Sequence, residues 1–563
     1  MRWLFLLTIV CFGIRPARAA GPRDELLRLV PDDTAICLVV QGLRDKSKAV
    51  AASPLAEWVG TNFKPAIGAA PELQKLKDVE TLFTSFLGVS LADLRDEIFG
   101  DALVLCYQPG PPGKPEAERG IAMLKARDPA KLAALVNKLN ALQKSSGELA
   151  SIDEKVHRGQ AYFKRSKGEA GGEYYLLADG LFVFAAQESS IQSVIERRLE
   201  AKSESGAVAK SVARLGVEKS FLYCWFNPRR LDADVKAHVA AAANPKEKAT
   251  RAQFAQIWSA IDDLAIYLDA DKELELGFAA AYRAEAMPPE LRVVLGSQPR
   301  PSSLWQVIPD DAMIALAGRV SGNELLDVAL SFAPAEEKAA ARQEIEKAIG
   351  AVVGKDKLPA MLKAVGPDWA AWVAAPKSNG WFPAIAAAVQ IDGADPAVPA
   401  SIAKTLGFYA QFLQVQYNRE HDDAIESKIE RVGNVDATVF TNAKLFPPGF
   451  RPSYGLANGH LVFGGSPELI ETFRKPSAAG TAERAPFLRV SGNAFRDYLD
   501  KHGAELAGWV ADRQDRSAAD VLKEIQNVSE VLKAVDRMEI FTQGRGDAVK
   551  LAVRAKFVKP LSK

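Results

Sequence analysis

Residues 178–184, ADGLFVF, place an Asx-Gly pair between two apolar runs, and residues 457–463, ANGHLVF, repeat the pattern. Aspartate or asparagine followed by glycine readily adopts the positive φ that a tight turn between antiparallel strands needs. Each stretch precedes an amphipathic segment with helical spacing, SSIQSVIERRL after the first and SPELIETFRKP after the second. The two stretches therefore predict two β-hairpins, each leading into a helix.

Further pairs of similar segments occur in the same order along the chain. LVPDD at 29–33 is matched by VIPDD at 307–311, GDA at 100–102 by GPD at 366–368, and ELELGFAAAYR by AVKLAVRAKFV. The partners are separated by a nearly constant length of chain, which is the mark of an internal repeat. The sequence therefore predicts two divergent copies of one unit in tandem.

Strand-like runs joined by turns, with single helices between them, predict an α+β fold in which helices pack on an antiparallel sheet. Prolines cluster at 288–289 and 299–301, a composition typical of a linker. The predicted organisation is a signal peptide at 1–19, a first α+β repeat at 20–286, a proline-rich linker at 287–303 and a second α+β repeat at 304–563.

The first residues have the pattern of a secretory signal peptide. Arg2 supplies a positive charge, residues 3–14 (WLFLLTIVCFGI) form an uncharged apolar run, and Ala17 and Ala19 are the small residues of a cleavage site. The apolar run is shorter than the roughly 20 residues that a membrane-spanning helix needs. We expect an exported mature chain, periplasmic or extracellular, with no integral membrane span after cleavage.

The net charge of the chain argues against a nucleic acid partner, and the positions of the cysteines argue against a disulfide framework. The chain has 71 lysines and arginines against 70 aspartates and glutamates, so it is close to neutral and lacks the basic footprint of a nucleic-acid-binding protein. We expect no nucleic acid partner. Cys37, Cys106 and Cys224 lie in apolar runs, where cysteine behaves as a small hydrophobe. No disulfide framework is implied, and one bridge between neighbouring strands stays open.

No catalytic, metal-binding or phosphate-binding motif stands out. The five histidines form no HExxH or i,i+4 pair, and the GxSxG, P-loop and GxGxxG patterns are absent. The segments at 321–323 and 491–493, both Ser-Gly-Asn, follow strand-like runs, and we interpret them as helix caps. We therefore predict no catalytic residues, no metal site, no cofactor and no enzymatic activity.

Two polar features belong to the second half alone. His460 stands where the first copy has Leu181, and His421-Asp422-Asp423 lies in a charged stretch. An enzyme that arose by duplication tends to keep polar groups in one copy, so these residues are the candidates of a hydrolase hypothesis. The structural interpretation is a histidine near a turn and a solvated helix face or loop.

The layout of the chain resembles that of large uncharacterised secreted proteins of planctomycete-type bacteria, whose domains have no known function. The resemblance rests on the signal peptide, the LVPDD and VIPDD segments that open the two halves, the [DN]-G-x-[FL]-V-F hairpins and the diverged second copy. It implies an envelope or extracellular location. It implies no activity, because the family offers no catalytic residues to transfer.

These observations favour an exported, non-catalytic binding or scaffold protein of the bacterial envelope, whose partner is an unknown protein or an apolar small molecule. One alternative is a carrier that encloses a lipid-like ligand between its apolar sheet faces and their helices. Another is an exported hydrolase with a site assembled from scattered polar residues, because catalytic triads are recognised by geometry rather than by order.

Overall fold

The structure of the protein is a computed structural model. It describes residues 21–54, 56–57, 60, 80–81, 83–168, 172–200, 206–271, 273–288, 291–292, 300–331, 335–353, 363–376, 380–391, 397–477 and 484–558. The predicted signal peptide at 1–19 lies outside the described residues, and so does part of the predicted linker, at 289–290 and 293–299.

The chain forms two compact units. The first comprises the residues up to Lys48 together with Gly68–Leu231, and the second comprises Ala49–Ile67 and Asp232–Lys563. Every strand pairing among the described residues is antiparallel. Helices pack against these strands, so the predicted α+β class is confirmed.

The first unit contains the strands β1 (Ile36–Gln41), β2 (Ala102–Gln108), β3 (Arg119–Lys125), β4 (Ser151–His157), β5 (Gln160–Ser166), β6 (Gly172–Ala178), β7 (Leu181–Ala185) and β8 (Leu222–Phe226). Its helices are α1 (Pro22–Leu29), α2 (Leu43–Ala51), α3 (Pro129–Ser145), α4 (Glu188–Glu200) and α5 (Ala207–Leu215), with π-helical turns at Phe83–Leu87 and Leu94–Ile98. The strands lie in the order β4-β5-β6-β7-β3-β2-β1-β8.

From Asp232 onward, the second unit contains first the helices α6 (Asp232–Ala240) and α7 (Pro245–Ala260) and the strands β9 (Ile261–Ala270) and β10 (Glu273–Tyr282). Its later strands are β11 (Ala312–Arg319), β12 (Val365–Ala374), β13 (Ala384–Ile391), β14 (Glu426–Val432), β15 (Val435–Thr441), β16 (Ser453–Ala457), β17 (His460–Gly464), β18 (Arg484–Ser491), β19 (Val535–Arg545) and β20 (Ala548–Phe557). The later helices are α8 (Gly322–Ser331), α9 (Ala335–Val353), α10 (Ala397–Glu420), α11 (Pro467–Glu471), α12 (Gly492–Gln514) and α13 (Ala518–Leu532).

The sheet of the second unit has the order β14-β15-β16-β17-β13-β12-β11-β18 and continues through β19-β20-β10-β9. Its first part follows the same path as the sheet of the first unit, strand for strand. The two units therefore share one strand order. Equivalent strands are joined by equivalent connections in both units.

The two hairpins that the sequence singles out form as predicted. β6 turns into β7 at Asp179 and Gly180, with φ of 51° and 76°, and β16 turns into β17 at Asn458 and Gly459, with φ of 52° and 76°. Both turns use the left-handed backbone that Asx and glycine tolerate. The helices α4 and α11 follow the two hairpins, again as predicted.

The sequence interpretation places the hairpin β9–β10 in the first repeat, at 20–286, and the boundaries of the repeats stay a prediction. β10 pairs along its length with β20, from Glu273 opposite Lys556 to Ala281 opposite Ala548. The compact units accordingly divide the chain at Leu231 and Asp232, well before the proline-rich segment at 287–303. Pairing between strands distant in sequence decides this division, and composition does not reveal such pairing.

The hydrophobic core of the first unit lies between α3 and the sheet. Leu132, Leu135 and Val136 project from one side of α3 and pack with Leu124 of β3 and Tyr175 of β6. Asp128 caps the helix, because its carboxylate accepts hydrogen bonds from the backbone N–H groups of residues 130 and 131. Capping and apolar spacing therefore both favour this helix at this position.

The sheet of the second unit packs on both faces. On one face, alanines of β11, β12 and β13 bring Leu304, Ile470 and Phe473 close to the strands. On the other face, which we call the α10 face, Ile402 of α10 packs near Tyr454. The helix α12 covers a neighbouring part of the sheet through a cluster that contains Met313, Tyr498 and Leu499.

The three cysteines of the described chain are free thiols. Cys37 and Cys106 lie opposite each other on β1 and β2, buried, with sulfur atoms 3.9 Å apart. The hydrogen bond from Cys106 together with burial raises the pKa of the Cys37 thiol well above its usual value. The Cys37 thiol is therefore protonated at neutral pH, and both buried side chains pack as small hydrophobic groups.

A half-buried ion pair links β10 to β20. Glu275 lies opposite Arg554, whose Nε donates to Glu275 Oε2 at 3.0 Å, and Tyr267 Oη donates to Glu275 Oε1 at 2.9 Å. Burial acts to raise the pKa of Glu275, but the hydrogen bonds from Arg554 and Tyr267 outweigh it and leave the pKa below its usual value. The carboxylate therefore contributes stability above about pH 4.3, the pKa of an unfolded glutamate, and loses it as the pH falls through the folded value.

We expect Glu275→Gln to lower the free energy of unfolding at pH 7 by on the order of 2 kcal/mol, because the mostly buried Arg554 guanidinium loses the more buried of its two carboxylate partners. The difference from the wild type should shrink as the pH falls below 4, as urea unfolding at several pH values would reveal. Glu273→Gln is the matched control, since Glu273 lies 3.3 Å from the same arginine but is more exposed. Equal losses of unfolding free energy in Glu275→Gln and Glu273→Gln would contradict the larger contribution that we expect from the more buried carboxylate.

Candidate functional site

A cavity of about 450 Å³ opens on the α10 face of the second sheet. We call it the apolar cavity. Its floor consists of side chains of β11, β12, β13 and β17, and α10 contributes Ala410. The described residues that line it are Ile314, Leu316, Ala371, Trp372, Val373, Ile385, Ala386, Ala387, Ala410, Phe440, Phe450, Pro452, Ser453, Tyr454, Phe463, Gly464 and Gly465.

The cavity exists because two small residues, Ala371 and Ala387, lie side by side at the centre of the sheet. One row of directly opposed residues crosses the strands β11, β12, β13, β17 and β16 as Leu316, Ala371, Ala387, Phe463 and Tyr454. The large side chains stand at the ends of this row and the two alanines in its middle. Because side chains on one face of a sheet are close neighbours across strands, the short middle pair leaves space beneath α10.

The lining is almost free of polar groups. None of the described lining residues carries a charge. The Ser453 hydroxyl donates to the carbonyl of Gly464, so this polar group is already satisfied. The side chain of Ile385 is 41% exposed although it lies on a central strand, because nothing in the described part of the chain covers it from above. The surface therefore suits an apolar ligand.

Aromatic side chains close one end of the cavity. Phe450 lies on the lining and packs against Phe382, with ring centroids 4.8 Å apart, and Phe382 contacts Trp509 of α12 at 5.7 Å. The Arg513 guanidinium lies 4.0 Å from the Trp509 ring centroid and donates to the carbonyl of Leu445. Arg513 therefore links the end of the aromatic cluster, through its cation–π contact, to the loop before β16, through its hydrogen bond.

The helix α10 is apolar on two sides. Ile402, Leu406 and Ala410 face the sheet at helical spacing. The side chains of Phe408, Phe412 and Val415 are at least half exposed on the other side of the helix. The helix that borders the cavity therefore also presents an apolar outer surface.

A second, polar pocket of about 610 Å³ lies at the ends of β11, β12, β13 and β17. It shares these strands with the apolar cavity but none of the described lining residues. The described residues that line this polar pocket are Arg300, Ser303, Arg319, Asp368, Gln390, Ile391, Asn458, Gly459, His460, Lys475, Pro476 and Ser477. His460, a candidate from the sequence, is therefore a pocket residue.

His460 is held in a defined orientation. Its Nδ1 lies 2.9 Å from the carbonyl oxygen of Asn458, which can only accept, so Nδ1 carries the proton and Nε2 is the acceptor of the neutral ring. The residue is 6% exposed, and its ring packs against Phe473 with centroids 5.3 Å apart. Burial lowers the pKa of His460 below its usual value, against the opposing effects of the Asn458 hydrogen bond and the charge of Asp368.

Asp368 organises the other side of the pocket. Its Oδ1 accepts a hydrogen bond from the backbone N–H of Ser303 at 3.1 Å, and its Oδ2 lies 4.0 Å from Nε of Arg319. Its own backbone N–H donates to Oε1 of Gln390 at 3.4 Å. These contacts connect the segment before β11 to the ends of β11, β12 and β13, where the sequence offered no recognisable motif.

The structure does not bring the two sequence candidates together. His421 follows the last turn of α10, exposed, and its ring stacks on Tyr417 with centroids 4.1 Å apart. Asp423 accepts hydrogen bonds from Tyr417 and Asn442. In the described residues His421 lies outside the pocket that contains His460, so these two do not form one polar site. The hydrolase alternative remains a prediction.

The Ser-Gly-Asn segments are helix caps, as interpreted from the sequence. Ser491 Oγ accepts from the N–H of Ala494 at 3.3 Å, and Ser321 Oγ accepts from the N–H of Glu324 at 3.2 Å. Glu324 returns a hydrogen bond by accepting from the N–H of Ser321, which completes a capping box. These two serine side chains therefore stabilise the first turns of α8 and α12.

We expect His460 to titrate below pH 6.5 in imidazole-resolved NMR spectra, because burial disfavours its charged form. The unfolded chain then binds the proton more tightly than the folded chain, so stability should fall as the pH drops from 6.5 through the folded pKa. His460→Gln should remove this part of the pH dependence of urea unfolding, whereas His421→Gln at an exposed position should preserve it. An unchanged profile for His460→Gln would contradict the assignment.

Within the described residues, no cluster of three or more His, Cys, Asp or Glu side chains is suited to hold a metal ion. No helix in that part of the chain combines the length and the apolar composition needed to cross a bilayer. No protein-family model, no curated protein and no solved structure matches this chain.

Proposed function

We propose that the protein is an exported, non-catalytic binding protein of the bacterial envelope that carries an apolar ligand, or the apolar part of one, in the apolar cavity. The observation that carries the proposal is a cavity of about 450 Å³ whose described lining residues bear no charge. Ligand pockets of small molecules typically measure about 300–1,000 Å³ and are lined mainly by hydrophobic and aromatic groups.

The energetics favour occupation. Apolar surface that stays in contact with water costs roughly 25 cal/mol per Å² relative to buried surface. The side chain of Ile385 remains 41% exposed, and Phe463 and Tyr454 border the same space. An apolar ligand would remove this surface from water without having to break a hydrogen bond, because Ser453 is already paired with Gly464.

We also propose that the two units arose by duplication. The row Leu316, Ala371, Ala387, Phe463 and Tyr454 has a counterpart at the same register in the first unit, namely Leu38, Leu105, Ala122, Phe184 and Tyr175. Four of the five positions hold the same residue type. Agreement of the strand order and of this row supports a common origin, and the fifth position, Leu105 against Ala371, is where the second unit gains space.

Native mass spectrometry tests the proposal most directly. The protein would be exported by its own signal, purified without detergent and measured intact. We expect a reproducible additional mass of lipid-like size, and after extraction with organic solvent and refolding we expect saturable binding of one equivalent of the fluorescent probe N-phenyl-1-naphthylamine.

A bare chain that also fails to bind the probe would refute the proposal and would favour the scaffold alternative, in which the partner is another protein. In that case crosslinking in the intact envelope becomes the experiment of choice. A chain that hydrolyses a panel of ester and peptide substrates in a His460-dependent manner would favour the hydrolase instead.

A further inference from the structure

We propose that the polar pocket at the strand ends of the second unit binds a small oxyanion, such as a carboxylate or phosphate group. Among its described lining residues, three are cationic, Arg300, Arg319 and Lys475, and one is a carboxylate, Asp368. The site is separate from the apolar cavity, so this proposal goes beyond the proposed function and stands or falls on different residues.

The positive charge in the pocket is largely unpaired. In the part of the chain that the structure describes, Arg300 and Lys475 have no carboxylate partner. Arg319 reaches Asp368 only at 4.0 Å through Nε, so most of its guanidinium N–H groups remain available. Unpaired cations that face one concave surface attract an anion, and arginine matches the geometry of carboxylate and phosphate groups.

The first unit has different residues at the corresponding positions of its sheet. In the second unit Arg319 lies opposite Asp368 and Gln390 lies opposite His460. The first unit has Gln41 opposite Ala102 and Lys125 opposite Leu181 at the same positions of its sheet.

In the first unit Ala102 and Leu181 are fully buried, and Lys125 forms an ion pair with Glu25 at 2.9 Å. The first unit therefore completes the same part of its sheet without a buried carboxylate or imidazole. Burying such groups carries a free-energy cost, so their presence in the second unit points to a role in addition to the hydrogen bond that Asp368 accepts from Ser303.

The hydrogen bonds around Asp368 leave one neutral donor, the amide of Gln390, in the pocket. Asp368 accepts from the Ser303 N–H and thereby holds the Ser303 segment against the strand ends. Oε1 of Gln390 accepts from the Asp368 N–H, which leaves the amide NH2 group of Gln390 as a donor. A volume of about 610 Å³ suits a small ligand rather than a polymer.

The test is isothermal titration calorimetry of the mature full-length protein with inorganic phosphate and with succinate, at constant low ionic strength. We expect saturable binding of at least one of the two anions. Lys475→Gln should weaken it about tenfold, since one charge-assisted hydrogen bond contributes roughly 1.5 kcal/mol. Lys475 is exposed, so its replacement should preserve the fold.

The matched control is Lys501→Gln, which removes an exposed lysine of α12 in the same unit, away from the pocket. A second variant, Arg319→Gln, should act like Lys475→Gln. Preference for phosphate over succinate, or the reverse, identifies the oxyanion. Binding only to phosphatidylglycerol vesicles, sensitive to Lys475→Gln, would assign the oxyanion to a lipid headgroup. Absence of saturable binding, or an equal loss in Lys501→Gln, would overturn the proposal even if the apolar cavity proves occupied.

Discussion

An Ala371→Phe variant is expected to lose at least about tenfold in affinity for N-phenyl-1-naphthylamine, or on the order of 1.4 kcal/mol of binding free energy. Ala371 is the residue of the central strand β12 that faces the apolar cavity between Leu316 and Ala387. A phenylalanine ring at this position would project into the space that an apolar ligand needs. The affinity would be measured by fluorescence titration, with circular dichroism to verify the fold.

The variant should unfold at an equal or higher temperature than the wild type. Adding a large side chain to a packed core costs typically 1–3 kcal/mol, but here the ring enters open space and covers apolar surface. A protein that loses several kcal/mol of stability and still binds the probe would contradict the existence of the cavity at this position.

Two variants complete the series. Ala371→Leu introduces the residue that the first unit has at the corresponding position, Leu105, and should reduce affinity by less than Ala371→Phe because it fills less of the cavity. Ala237→Phe places the same aromatic ring on the exposed surface of α6 in the same unit and should leave affinity unchanged. Loss of affinity in Ala237→Phe would indicate a general effect of surface hydrophobicity.

The sequence predicted the parts of the fold that depend on neighbouring residues. Asp179-Gly180 and Asn458-Gly459 predict their hairpins because the left-handed φ of the turn is a local requirement. The Ser-Gly-Asn segments predict helix caps for the same reason. In each case the physical cause lies within a few residues of the signal.

The sequence could not predict the candidate sites, because they depend on register between strands far apart in the chain. Ala371 and Ala387 are ordinary small residues until the pairing of β12 with β13 places them side by side. Asp368 and His460 reach one pocket only because β12, β13 and β17 are neighbours. The replacement of Leu181 by His460 was a usable signal in the sequence, but it did not reveal Arg319, Gln390 or Lys475.

The position of the hairpin β9–β10 in the sheet also depends on pairing between strands that are far apart in the chain. Its sequence similarity to β19 and β20 is compatible with membership in the first repeat, yet the strand ELELGFAAAY pairs directly with AVKLAVRAKF. The two strands that the sequence comparison aligned are thus antiparallel neighbours in one sheet. A comparison of segments finds likeness between them and contains no information about their contact.

A Gly492→Ala variant is expected to lower the free energy of unfolding by about 3 kcal/mol or more, a large loss that is typical of a strong steric conflict. Gly492 is the first residue of α12, and a Cβ added there would lie 1.9 Å from the carbonyl oxygen of Val535 and 3.3 Å from that of Leu532. The obstacle is backbone, so it cannot move aside as the end of a flexible side chain would. Relief requires α12 to shift from β19, at the point where Ser491 pairs with Arg537.

The control is a second glycine of the same helix. Gly508→Ala adds a Cβ that meets nothing within 4 Å, and alanine is favoured over glycine in a helix interior by roughly 0.5–1 kcal/mol, so this variant should be slightly more stable than the wild type. Urea unfolding monitored by circular dichroism compares the two. Opposite shifts would trace the loss in Gly492→Ala to its contact with Val535, because the substitution and the helix are the same. Similar small shifts in both variants would show that the start of α12 is not held against β19.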